Sequence, residues 1–139
     1  YQAGDVAFDL QGVTDHGAAW SLYEQAGDPI VLVVGDMDNS AMVQTLSALP
    51  DVDEAWPHAL MVAMVGRDEY SVAADAADGA RWRLDYGLEV VLIDPSVSDM
   101  SLWSDNNPPK TYVIGADLVI RWVEYGIAGA DQISAAIQG

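Results

Sequence analysis

Three short apolar runs constrain this chain more than any other feature of it. Ile30-Val31-Leu32-Val33-Val34 is dense in β-branched residues, and Ala59 to Val65 and Glu89 to Ile93 are further short apolar runs that read as buried strands. A strand that is apolar on both faces has to be covered on both faces, which puts such strands at the centre of a layered α/β structure. The segments between them carry helical spacing. Ser40 can cap a helix presenting Met42, Val43, Leu46 and Leu49, with Pro50 closing it. Ser71 to Tyr86 reads as a second helix, with Val72, Ala76, Ala80, Trp82 and Leu84 inward and Gly87 at its end.

The flanks complete the pattern. Val6 to Leu10 alternates loosely, as an edge strand does. Asp94-Pro95 stops the third run, and Ser96 to Trp103 reads as a short helix. Tyr112-Val113-Ile114 and Leu118 to Trp122 flank Gly115-Ala116-Asp117 as a hairpin, and an amphipathic helix follows from Ala130 to Ile137. The expected fold class is α/β: a single domain over residues 1–139, a three-layer sandwich with a mixed central sheet, parallel crossovers in the middle and a C-terminal antiparallel hairpin and helix.

Charge narrows the partners. Of 139 residues, 22 are acidic and 5 basic, for a net charge of −17, and Lys110 is the only lysine. Such a surface repels phosphates and anionic lipid, so neither nucleic acid nor direct membrane insertion is expected, while a basic protein partner or self-assembly is compatible. The acids are spread along the whole chain, as in proteins adapted to salt, where dense carboxylates stay hydrated and salt screens their repulsion. No apolar run reaches the ~18 residues that span a bilayer. The chain opens on Tyr1-Gln2-Ala3 and not on Met, which fits a processed extracytoplasmic protein, secreted, periplasmic or lipid-anchored, and equally a trimmed chain.

Several segments resemble the thioredoxin superfamily, above all its peroxiredoxin-like and membrane-anchored thiol-reductase branch. Gly4-Asp5-Val6-Ala7-Phe8-Asp9-Leu10 looks like the opening G-D-x-A-P-x-F-x-L without its proline. Trp20-Ser21-Leu22 and Pro29-Ile30-Val31-Leu32-Val33-Val34 look like the approach to the first central strand and the strand itself. Pro109-Lys110-Thr111-Tyr112-Val113-Ile114 is similar to P-T-T-F-L-I, Gly115 to Ile120 to the following hairpin, and Tyr125-Gly126 to the aromatic-plus-glycine before the last helix. The resemblance implies a thioredoxin-like sandwich with a C-x-x-C pair at a helix N-terminus, where the helix dipole lowers the first thiol's pKa.

The chain departs from the family at that point. It contains no cysteine, so thiol–disulfide and thiol-peroxidase chemistry are excluded for these residues. The stretch after the strand reads Gly35-Asp36-Met37-Asp38-Asn39-Ser40-Ala41-Met42-Val43, and the register of the resemblance puts Ser40 and Val43 in the two cysteine positions. A serine hydroxyl needs an adjacent base to act as a nucleophile, and neither His16 nor His58 is placed nearby by sequence. A Cys→Ser replacement would account for Ser40 alone, and not for Val43 or the Asp36, Asp38 and Asn39 loop, so a naturally altered site is the simpler reading.

Other features have bland readings beside functional ones. Asp36 and Asp38 begin like a calcium loop, but Ala41 and Ser47 stand where an EF-hand needs Gly and Glu; the bland reading is a solvated loop, with Ser40 or Asn39 capping the helix and the acids near its positive end. Pro109 matches the family's cis-proline beside the active site, so a peptide groove edged by Met37, Met42 and Trp103 is one expectation, and an inherited turn the other. His16 and His58 stand isolated, without metal-ligand spacing. Asp75, Asp78 and Asp85 read as the wet face of the second helix, with Arg81 pairing at close range. No cofactor is called for. The functional expectation is a redox-inactive domain used for protein binding or assembly, with a structural subunit of an extracellular or cell-surface assembly (its interface at the edge strand Val6 to Leu10 or at exposed Trp and Met residues) and a calcium-binding or other non-thiol enzyme as alternatives.

The charge reading carries a measurable consequence. The melting temperature should rise steeply between low and molar NaCl as salt screens the carboxylate repulsion. A flat melting curve across that range would remove the saline-adaptation reading.

Overall fold

The computed structural model describes residues 2–93, 103 and 109–139. Their elements are β1 (Gln11–Val13), β2 (Ala19–Ser21), a 3-10 turn (Tyr23–Gln25), β3 (Ile30–Gly35), α1 (Ser40–Ala55) and β4 (Leu60–Val65). Then come α2 (Ala76–Tyr86), β5 (Val90–Ile93), β6 (Lys110–Ile114), β7 (Ile120–Tyr125) and α3 (Ala130–Gln138). The proposed helix over Ser96 to Trp103 lies outside the described residues except for Trp103.

The three apolar runs form β3, β4 and β5, as their sequence demands. The main sheet has the order β5-β4-β3-β6-β7. β3 runs parallel to β4 and β4 to β5, while β3 pairs antiparallel with β6 and β6 with β7. This is the expected mixed sheet with its antiparallel C-terminal edge. Alternate side chains divide into two cores. Val31, Val33, Met61, Ala63, Val91 and Val113 face Leu46 and Leu49 of α1, Trp82 of α2 and Ile133 of α3. Leu32, Val34, Met64, Tyr112 and Ile114 face the other way, onto Ala7, Leu10, Trp20, Leu22 and Trp103. The second covering layer is thus built by the N-terminal segment among the described residues.

That segment also closes the sheet edges. Gly4 N–H donates to Ile120 O (2.8 Å), Ile120 N–H to Asp5 O (2.8 Å) and Ala7 N–H to Leu118 O (2.9 Å) along β7. At the opposite edge Asp15 N–H donates to Val91 O (3.1 Å), beside a Thr14–Leu92 bridge. These bonds cover the start of β7 and part of β5, which shortens the open edge available for strand-to-strand pairing.

Four expectations need correction. Val6 to Leu10 is no strand: it makes one bridge, Val6 to Val119, and buries Ala7 and Leu10 while Val6 and Phe8 stay exposed. The short pair β1–β2 forms just after it. Second, α1 runs through Pro50 to Ala55. The proline removes one helical hydrogen bond, but Val52 is fully buried two residues later and Trp56 N–H donates to Val52 O (2.8 Å), so packing holds the last turn. Third, α2 begins at Ala76 and not Ser71. Asp68 Oδ1 accepts from Tyr70 N–H (2.8 Å) and Val72 N–H (3.1 Å), which folds 68–72 into a side-chain-closed turn. Asp75 then caps the helix in a reciprocal box with Asp78. Consequently Val72, Ala76 and Leu84 are exposed, and Trp82 is the one large side chain α2 buries. Fourth, Asp75 and Asp78 are capping groups, so the acidic face of α2 is partly structural.

Among the described residues, one buried side-chain oxygen has no hydrogen-bond partner. Thr111 Oγ1 is inaccessible and makes no hydrogen bond. An unsatisfied buried hydroxyl costs roughly 1–3 kcal/mol, and valine has nearly the same shape. Thr111→Val should therefore raise the unfolding free energy by about 1 kcal/mol in urea titration.

Candidate functional site

The sheet delivers three segments to one place. β3 ends at Gly35 and runs through a short loop into α1, while Pro109 enters β6 beside it. A side chain at Gly35 would put its Cβ 2.9 Å from Met42 Sδ and 3.1 Å from Pro109 Cβ. Only glycine lets the strand end, the first turn of α1 and Pro109 meet this closely. Pro109 is itself buried, and its carbonyl accepts from Gly126 N–H (2.8 Å). The peptide bond preceding it, on which the cis-proline expectation falls, lies outside the described residues.

Asn39, and not Ser40, caps α1: its Oδ1 accepts from Ala41 N–H at 2.9 Å. Ser40 is the first helical residue and exposed, and Val43 follows three residues later, half-buried against the core. The two therefore share one side of the first helical turn. His58 precedes the N-terminal end of β4, the opposite end of the sheet from Ser40, since β3 and β4 run parallel. His16 is not isolated, as sequence suggested. Its Nε2 lies 3.1 Å from Arg83 Nη2, and Arg83 Nε–H donates to the buried Asp15 carboxylate (3.1 Å). That cluster ties the β1 side to α2 at the outer edge of β5 and serves packing.

The Asp36–Asp38 loop is braced by the loop after β4. Arg67 N–H donates to Asp36 Oδ1 (2.9 Å), Met37 N–H to Arg67 O (2.9 Å) and Ser71 Oγ–H to Asp38 Oδ2 (2.7 Å). Burial and the neighbouring Asp38 charge push the Asp36 carboxyl up, partly offset by the Arg67 N–H. Among the described residues no three carboxylate or imidazole side chains converge to hold a metal ion. The β4–α2 loop is anchored in turn by Glu69, which receives two hydrogen bonds from the Arg81 guanidinium (2.7 and 2.9 Å) and one from the Trp82 indole (3.0 Å). The guanidinium pairing brings the Glu69 carboxyl down to about 2.

The apolar residues proposed to edge a groove do not do so. Met37, Met42 and Trp103 are at most 2 % exposed. Met37 and Met42 belong to the helix-side core, whereas Trp103 packs edge-on against Tyr112 on the other face. They support the site from within. Lys110, the only lysine, is fully buried next to Pro109, its ammonium 4.9 Å from the Tyr112 ring and 4.8 Å from that of Tyr125. Two aromatic faces stabilise a cation at that range. Sequence reading missed the roles of Gly35, Lys110 and Glu69. A glycine ending a buried strand and a lone lysine after the matched proline were visible signals, whereas nothing in sequence joins Glu69 to Arg81.

A buried mixed sheet, a helix starting directly off its central strand and a proline facing that helix define a thioredoxin-like fold. No protein-family model and no curated protein sequence matches the chain. Solved structures do. A secreted Mycobacterium tuberculosis disulfide oxidoreductase homologous to E. coli DsbE is 17% identical with TM-score 0.74, over 94% of this chain and 95% of that one. Peroxidoxin BcpB from M. tuberculosis is 15% identical with TM-score 0.76, over 99% and 96%. The exposed lipoprotein thioredoxin of Streptococcus pneumoniae is 20% identical with TM-score 0.65, over 94% and 98%. The chain thus has the thioredoxin-like fold in the form seen in DsbE-type and peroxiredoxin-type proteins, with no cysteine in it.

The Asp36 environment has a pH signature. A carboxyl whose folded pKa is raised holds its proton more tightly when folded, so its contribution to stability is present below the unfolded value near 3.8 and is lost as pH rises through the folded value. Asp36→Asn keeps the acceptor for Arg67 N–H and removes the charge. Urea denaturation should find the variant gaining on the wild type from pH 4 to pH 7, and an equal difference at both pH values would contradict this account of Asp36.

Proposed function

We propose that this chain is a redox-inactive thioredoxin-like domain that serves protein binding or assembly. The observation that carries the reading is the pair Ser40 and Val43 on the first turn of α1, directly off β3 and across Gly35 from Pro109, in a chain without cysteine. The frame that presents a reactive pair in thiol oxidoreductases is kept, while the residues in the pair's place can neither form a disulfide nor supply a thiolate. Function resides in the site and not in the fold, so a kept frame with a replaced pair supports recognition without turnover. The edge-strand version of a structural subunit gains nothing from the fold, because residues 4–7 already bond to β7. A place outside the cytoplasm is supported by neighbours described as secreted and as an exposed lipoprotein.

The experiment works in both directions. The wild-type chain should neither reduce insulin nor consume peroxide above the protein-free rate, and turnover by it would overturn the proposal. Ser40→Cys combined with Val43→Cys should form an intramolecular disulfide and confer insulin reduction, because helix N-terminal thiols one turn apart are held for exchange. Failure of the folded double variant to close a disulfide would show that these two positions are not the counterparts of a C-x-x-C pair.

A further inference from the structure

The β4–α2 loop exposes apolar side chains that the chain does not need for its core. Tyr70 is 84 % and Val72 59 % exposed, and Tyr70 is the most exposed aromatic ring among the described residues, ahead of Phe8 at 62 %. Flexible tips can carry such residues idly, but this tip is held rigid. Asp68 bonds to the N–H groups of Tyr70 and Val72, Asp68 N–H donates to Val72 O (2.8 Å), and an Arg67–Ala73 bridge closes the base. Ser71 between the two sits at φ 63, a conformation disfavoured for any residue with a Cβ, and its hydroxyl is fastened to Asp38. Glu69 is locked to Arg81 and Trp82 behind the tip. The backbone that presents these two apolar side chains is therefore braced on several sides, and pre-organised aromatic anchors are what binding hot spots are made of.

The surroundings say what chemistry would meet them. Asp36, Asp38 and Asp68 flank the tip, Arg67 is the one basic residue beside it whose side chain is not in a described ion pair, and the whole chain carries −17. Phosphates and anionic lipid are repelled by that field. We propose that Tyr70 and Val72 form the docking anchor for a partner protein whose apolar pocket or segment is bordered by lysine or arginine. This rests on the binding-domain reading above and gives it a surface: the partner grips the loop that braces the Asp36–Asp38 turn, next to Ser40, and not the buried methionines. Charge complementarity sets the encounter, and the two anchors set the lifetime of the complex.

The test uses the intact chain and a phage-displayed library of random peptides. Selection at low salt should enrich peptides that combine an aromatic or aliphatic residue with lysine or arginine. A synthesised enriched peptide should bind the Tyr70→Ser, Val72→Ser double variant at least about tenfold more weakly, with the melting temperature unchanged, since both side chains are exposed. Its affinity should also fall with added salt. Asp68→Ala, which keeps both anchors and frees the tip, should weaken binding as well. Enriched peptides that bind the double variant as tightly as the wild type would overturn the assignment of this surface while leaving the binding-domain reading in place. Peptides without basic residues and insensitive to salt would overturn the partner chemistry. A library that yields no binder at all would count against the binding-domain reading itself.

Discussion

Everything in this molecule hangs on β3 being buried on both faces. All its apolar side chains, Ile30 to Val34, are at 0 % exposure, with β4 on one side and β6 on the other. A strand in that position has no polar face to give to water, so it fixes two cores at once and forces the chain to cover each. Helices α1, α2 and α3 cover one face, and the N-terminal segment with Trp103 covers the other. The same strand aims its C-terminal end at the start of α1. The site is therefore a by-product of the core: the residues that follow Gly35 are placed where they are because Ile30 to Val34 cannot be anywhere else.

The site itself is a compromise between close packing and exposure. Gly35 permits Met42 and Pro109 to approach, which seals the floor. Above that floor, hydrogen bonds to the neighbouring loop position Asp36 and Asp38. The polar interactions here organise loops more than they stabilise the fold, since exposed pairs such as Arg81 with Asp78 contribute little in water. Lys110 is the exception in kind. A single ammonium taken into the interior between two tyrosine rings, in a chain so short of cations, ties β6 to β7 at the site's edge.

Charge and packing act on separate scales. The −17 net charge sets the field over the whole surface, and it leaves the fold untouched. The fold is decided by apolar runs that would read the same in a neutral protein. This separation explains how likeness in shape can persist over nearly the whole chain at 14 to 20% identity to solved thioredoxin-like structures: surface residues are free to change, while the period and placement of the buried ones are not.

The sequence by itself determined the class of fold, the three central strands, the C-terminal hairpin and the absence of a thiol, because each rests on local pattern or on composition. It also put Ser40 and Val43 on one helical turn after the first central strand, since a strand followed directly by a helix leaves little freedom in register. Only the tertiary structure decided the rest. That α1 continues through Pro50 depends on the burial of Val52; that α2 starts at Ala76 depends on Asp68 closing the preceding turn; and that Met37, Met42 and Trp103 lie inside depends on which sheet face each meets. These are contests between local propensity and contacts far away along the chain, and the distant contacts are written in no single segment. The exposed tip at Tyr70 and Val72 belongs to the same category: its residues were visible, but their rigidity and their place beside the site arise only once two loops are brought together.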